Sequence, residues 1–182
     1  MQVGFACYIS AIRKEALVRP MTSRRAMLIG AIVVTLGGVH PFAQDPRLTI
    51  KPEDVKWPPA AAGAAGTSGV SAIQTVVLKG DPSKAGLYTL LLKVSQPNVR
   101  IQAHAHSDDR VATVIKGTWY FAYGDKFDEA RLVALPPGSV YTEPPSVNHF
   151  AMTKGEVIIQ ISGTGPSTTR YVDPASDPTA KR

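Results

Sequence analysis

Three histidines carry the chemistry of this chain. His104 and His106 stand two residues apart in Val99-Arg100-Ile101-Gln102-Ala103-His104-Ala105-His106, and His149 follows some forty residues later. Side chains alternate faces along a strand, so the spacing predicts Arg100, Gln102, His104 and His106 on one face. Two imidazoles on one strand are a natural pair of ligands for a divalent transition metal, and a closed barrel brings a third from a distant strand. The fourth histidine, His40, lies in an N-terminal leader, and the one cysteine, Cys7, lies there too. A cysteine-based metal site, a thiol nucleophile and an internal disulfide are therefore all excluded from the remainder. No G-x-S-x-G elbow is present, and the glycine-rich run Gly63 to Gly69 lacks the lysine of a phosphate loop.

The elements that must position these histidines are short β-rich runs. From Ile73 onward they are Ile73–Leu78, Leu87–Val94, Val99–His104, Val111–Lys116, Thr118–Tyr123, Arg131–Leu135, Ser139–Glu143, Val147–Met152 and Glu156–Ser162. Gly/Pro turns such as Gly80-Asp81-Pro82 and Pro136-Pro137-Gly138 separate them. Many short strands at this spacing predict an all-β antiparallel sandwich or barrel. Asp125–Arg131 has room for one helical turn. Residues 71–163 are expected to form the domain. Residues 44–70, rich in Pro, Ala and Gly, read as a linker or extended arm, with Val55 and Trp57 able to dock on the domain or on a partner. Residues 164–182 read as a polar tail strapped on the surface and then frayed.

Residues 1–43 read as an N-terminal extension and export signal: Arg24 and Arg25, an apolar run from Ala26 to Val39, and a cleavage position after Ala43. That run of about 14 residues is short of the roughly 20 needed to span a bilayer, so no stable span is expected after processing. Ser23-Arg24-Arg25-Ala26-Met27-Leu28 resembles a bacterial twin-arginine signal, and Met21 is an alternative start. The expected location is periplasmic or secreted. Of 20 basic and 14 acidic residues, five and one fall in this leader, which leaves 15 and 13 over 44–182. The excess charge belongs to the leader, so nucleic acid is set aside as a partner.

With these residues in register, the chain resembles the cupin superfamily, whose first motif runs G-x5-H-x-H-x3,4-E-x6-G. His104 and His106 take the two histidines, Asn98 the first glycine and Gly117 the last. The second motif, G-x5-P-x-G-x2-H-x3-N, places Gly138, Pro144 and His149, with Ser146 at the second glycine and Thr153 at the asparagine. The resemblance covers about Ile73 to Ser162. It implies a cupin-type double-stranded β-helix, a jelly-roll barrel, with His104, His106 and His149 as ligands of one divalent metal. Fe(II) and Zn(II) come first, and Mn, Ni and Cu remain open.

The departure that matters is at the motif glutamate, where this chain has Arg110. A guanidinium ~5 Å from a divalent ion, at an effective dielectric of ~20, is repelled by about 6–7 kcal/mol. The expected orientation is therefore outward, paired with Asp108 or Asp109. The other orientation is inward, holding an anion such as a substrate carboxylate. Glu143 is expected at the exposed barrel rim, with a fourth ligand or a general base as the other reading. Gln102 is a candidate second contact or substrate contact beside the histidines, and Tyr141 a core aromatic that lines a pocket. Two function classes stay open. One is a metal-dependent enzyme on a small organic molecule, a three-histidine dioxygenase type. The other is a non-catalytic module that uses the metal to bind or sense a small ligand. Edge strands and the arm allow a homodimer.

Overall fold

The alternation that defines these strands is visible in their burial. The run Val157–Gly165 places Val157, Ile159, Ile161, Gly163 and Gly165 inside, while the residues between them are half-buried or exposed. Such a period of two belongs to a sheet with one face on the core. The computed structural model, which describes residues 47–180, contains ten strands. They are β1 (Ile73–Lys79), β2 (Gly86–Val94), β3 (Arg100–His106), β4 (Arg110–Lys116), β5 (Trp119–Tyr123), β6 (Val133–Leu135), β7 (Val140–Glu143), β8 (His149–Thr153), β9 (Val157–Gly165) and β10 (Thr169–Tyr171). Nine match the expected runs to within a few residues; β10 lies in the segment expected as tail. The single turn expected within 125–131 is a 3-10 turn, Glu129–Arg131, capped by the Asp128 carboxylate.

Two five-stranded antiparallel sheets form, in the orders β1-β2-β9-β4-β7 and β10-β3-β8-β5-β6. The inner faces enclose one core, which includes Leu90, Val114, Trp119, Phe121, Ile159 and Ile161. This is the all-β jelly-roll arrangement expected. The turn positions of the two motifs are left-handed, including those where glycine is replaced: Asn98 at φ 57°, Gly117 at 76°, Gly138 at 88° and Ser146 at 62°. Gly117 is obligatory, because a Cβ there would collide with the Glu156 carbonyl.

The segment preceding β1 follows the barrel closely. Val55 and Trp57 sit half-buried in a groove with Leu78, Leu91, Ile115 and Ile158, and Lys93 lies over the Trp57 ring at 4.6 Å. They dock without forming a strand. Gly66, Thr67, Ser68 and Gly69 are buried. The expected export signal, with Cys7 and His40, lies outside the described residues. Among the described residues, no helix is long and apolar enough to cross a membrane.

Candidate metal centre

One layer of the barrel is polar, and the strand registers build it. In the second sheet His104 of β3 lies directly opposite His149 of β8, and His106 lies opposite Thr169 of β10. All three imidazoles are buried, at 4%, 2% and 2% exposure. One ligand atom from each lies within 4.8 Å of the others. With metal–nitrogen bonds of about 2.1 Å, three ligands on one tetrahedral ion lie about 3.4 Å from one another, so each atom of the widest pair needs to move by about 0.7 Å.

The tautomers follow from the outer partners. His104 Nδ1 is 2.7 Å from the Gln102 carbonyl and His149 Nδ1 is 3.0 Å from the Val147 carbonyl. A carbonyl only accepts, so both Nδ1 atoms carry the proton. His106 Nδ1 is 3.0 Å from the Thr169 hydroxyl, whose own proton goes to the Thr67 carbonyl at 2.8 Å. That hydroxyl therefore accepts from His106 as well. Each ring is left with its Nε2 lone pair for the centre, and the Nε2 atoms of His106 and His149 are buried without a hydrogen-bond partner. Burial keeps the rings neutral. It lowers His104 to about 3, with His149 adding to the effect, and pushes His106 well down, helped by Arg110. For His149 burial outweighs the opposing pull of Glu143, and the net shift is downward. Neutral imidazoles with fixed Nδ1–H donors and orphaned, converging Nε2 atoms are the donor set a transition metal takes.

The facing sheet contributes the charges. Tyr88 of β2, Gly163 of β9, Arg110 of β4 and Glu143 of β7 stand side by side across four strands. Gly163 leaves room for the Tyr88 hydroxyl, which donates to Asp108 Oδ2 at 2.7 Å. Arg110 is 2% exposed; it donates through one NH2 to Glu143 Oε2 and through the other to the Gly66 carbonyl at 2.9 Å. The outward orientation expected for Arg110 is thus corrected: a protein carboxylate supplies the anion that makes its burial tolerable. Glu143 is corrected likewise. It is 4% exposed rather than at the rim, with Oε2 3.8 Å from His106 Nε2 and Oε1 3.7 Å from His149 Nε2. Burial raises its carboxyl, but Arg110, with His149 and His104, outweighs that and holds it below the usual value.

Gln102 departs from its expected place. The β3–β8 register shifts between Ile101 and His104, so Ile101 joins the histidines on the inner face and Gln102 does not line their cavity. Its backbone carbonyl, not its side chain, orients His104. Arg100 also leaves that face, exposed and paired with Glu129 at 3.2 Å. Tyr141 is buried against Phe121, with 4.4 Å between ring centroids. Trp119 stands in the cavity wall; sequence reasoning missed Thr169, Tyr171 stacked on His104 at 5.3 Å, and Thr67 and Ser68, which cover the histidines. The Tyr171 hydroxyl donates to the Ser68 carbonyl at 2.7 Å, which ties the cover to β10. Only the buried aromatic at 171 in a polar segment signals a returning strand.

The space left beside the histidines is about 20 Å³, enough for a water-sized group. A larger cavity of about 370 Å³ lies beyond Phe121 and Tyr141, walled also by Tyr123, Arg131, Val133 and Leu135. Phe121 belongs to both walls.

No family model matches this sequence, and no curated protein resembles it closely enough to match. The fold does have solved counterparts. The polyketide cyclase RemF from Streptomyces resistomycificus superposes with a TM-score of 0.56 at 18% identity, over 72% of this chain and 89% of that one. An RmlC-like cupin from Shewanella frigidimarina gives 0.47 at 16% identity, over 66% and 91%. KdgF from a Halomonas species gives 0.48 at 16%, over 66% and 96%. The chain has the cupin fold.

Proposed function

We propose that this cupin is an exported metal-dependent enzyme acting on a small organic molecule, with His104, His106 and His149 holding one divalent transition metal. The observation that carries the reading is the set of three neutral imidazoles, each fixed through Nδ1 and each turning Nε2 to one point. An ion held there supplies Lewis acidity toward a substrate oxygen or, if it is Fe(II), activation of dioxygen. We favour the three-histidine dioxygenase class, because three histidines leave coordination positions on an ion open and the space beside them, about 20 Å³, is too small for an organic substrate. The chain's own part is to exclude bulk water with Thr67, Ser68 and the aromatic wall, and to admit substrate from the larger cavity past Phe121 and Tyr141. That cavity, mostly apolar with Arg131 at its edge, suits an aromatic or aliphatic molecule carrying an oxygen anion.

A second reading is a metal-dependent module that binds a small ligand without turning it over. The closed cover favours it. Dioxygen uptake by the Fe(II)-loaded full chain, across a panel of diketones, flavonols and thiol acids, separates the two. Consumption of one substrate with dioxygen supports the enzyme; tight binding with no turnover across the panel contradicts it. Export predicts that the mature chain in its own host begins after Ala43.

A further inference from the structure

Glu143 poses a question that its ion pair with Arg110 does not answer. Its two oxygens face His149 Nε2 at 3.7 Å and His106 Nε2 at 3.8 Å. Both nitrogens are lone pairs, because their rings carry the proton on Nδ1. A buried carboxylate set against two buried lone pairs is acceptor against acceptor, an arrangement that is favourable only around a positive charge. Arg110 neutralises the carboxylate through Oε2, and its other NH2 is committed to the Gly66 carbonyl. Neither NH2 donates to a histidine: the Nε2 atoms of His106 and His149 have no hydrogen-bond partner. The two separations also suit ligands of a single ion: with bonds of about 2.1 Å, neighbouring ligand atoms lie about 3 to 4.2 Å apart.

We infer that Glu143 is the fourth protein ligand of the three-histidine centre, binding through Oε1 while Arg110 fixes Oε2. The β4–β7 register makes this possible, since Arg110 and Glu143 are direct cross-strand neighbours on the inner face. The centre is then three nitrogens and one carboxylate, with the carboxylate delivered by β7 and the guanidinium beside it tempering its charge. One bound carboxylate lowers the net charge of the site from +2 to +1 and suits Fe(II), Mn(II) or Zn(II) better than Cu(I). This inference rests on the metal-binding reading above.

The test uses the full chain, stripped of metal and titrated with Co(II) and Zn(II), in wild type, Glu143→Gln and His149→Ala. The expected result for Glu143→Gln is a Kd raised about 100-fold or more, at the upper edge of what losing an outer partner costs. A changed Co(II) visible spectrum must accompany it, because a ligand has gone. Wild-type Kd with an unchanged spectrum overturns the assignment. So does a weaker Kd with an unchanged spectrum, since Glu143 then only steadies the histidines. If Glu143→Gln does not fold, the crystal structure of the Zn(II)-loaded wild type decides: an Oε1–Zn distance of about 2.0–2.2 Å supports the inference. A distance beyond about 3 Å overturns it. If wild type takes up neither ion, the three-histidine reading itself has failed, a result distinct from failure of Glu143 alone.

Discussion

Replacing Arg110 by methionine keeps the aliphatic stem and removes the guanidinium. Two interactions go: the buried ion pair with Glu143 and the hydrogen bond to the Gly66 carbonyl. Stranding one charge of a buried pair costs about 3–5 kcal/mol, and a hydrogen bond of this kind about 1 kcal/mol. The expected loss for the metal-free chain at pH 7 is therefore about 4–6 kcal/mol. At about 4 °C per kcal/mol for a domain of this size, Tm falls by about 15–25 °C. The pH dependence has a definite sign. In wild type Arg110 holds the Glu143 carboxyl below its ordinary value of 4.5. Its stabilisation is then present above that value and lost as pH falls through the lower folded value. In Arg110→Met burial acts unopposed by the guanidinium, so the deficit is largest at neutral pH and shrinks as Glu143 takes up a proton. Adding Glu143→Gln to Arg110→Met should recover about 2–3 kcal/mol, because no charge is left unpaired. Urea unfolding of wild type, Arg110→Met, Glu143→Gln and the double variant in chelator at pH 7 and pH 4 measures all of this. A loss below about 1 kcal/mol at pH 7, or no recovery in the double variant, refutes the reasoning.

Two further outcomes are expected. The three buried histidines resist protonation while their unfolded forms titrate near 6.5, so metal-free stability should fall as pH drops below that value, by up to about 1.4 kcal/mol per histidine per pH unit; unfolding midpoints that stay flat from pH 7 to 5 contradict the neutral-histidine assignment. Gly66 has φ 74°, and a Cβ there meets Pro82 Cβ at 2.8 Å and Leu90 Cδ2 at 2.9 Å, so Gly66→Val should lift the cover. Amide exchange over residues 61–70 should then quicken tenfold or more while β2 and β9 keep their protection, and unchanged exchange would mean that the cover is not held at Gly66.

The barrel was legible because its evidence is local. Alternation, the turn glycines and the His104-x-His106 spacing are each read within a dozen residues, and His149 is placed by its own short motif with Gly138 and Pro144. Asn98 and Ser146, read as substitutes at glycine positions, do adopt left-handed φ. The facing layer was not legible, for two reasons. Arg110 looked like a surface cation because a lone guanidinium beside a metal is untenable, and only the β4–β7 register reveals that Glu143 stands opposite it. Gln102 was misplaced because a strand irregularity shifts the face of every residue on one side of it, and nothing in Val99–His106 announces the irregularity. The cover and β10 depend on pairings across a hundred residues, such as Tyr171 with Ser68 and Thr169 with Thr67. Short polar segments of this kind gain their structure from the barrel they close over, not from their own pattern.

The central claim is the metal centre, and elemental analysis of the untagged full chain purified from its own host tests it most directly, with His149→Ala measured alongside. The account predicts close to one transition-metal ion per wild-type chain and a small fraction of that in the variant. Wild-type protein that holds no metal even after reloading, or His149→Ala at full occupancy, would contradict it.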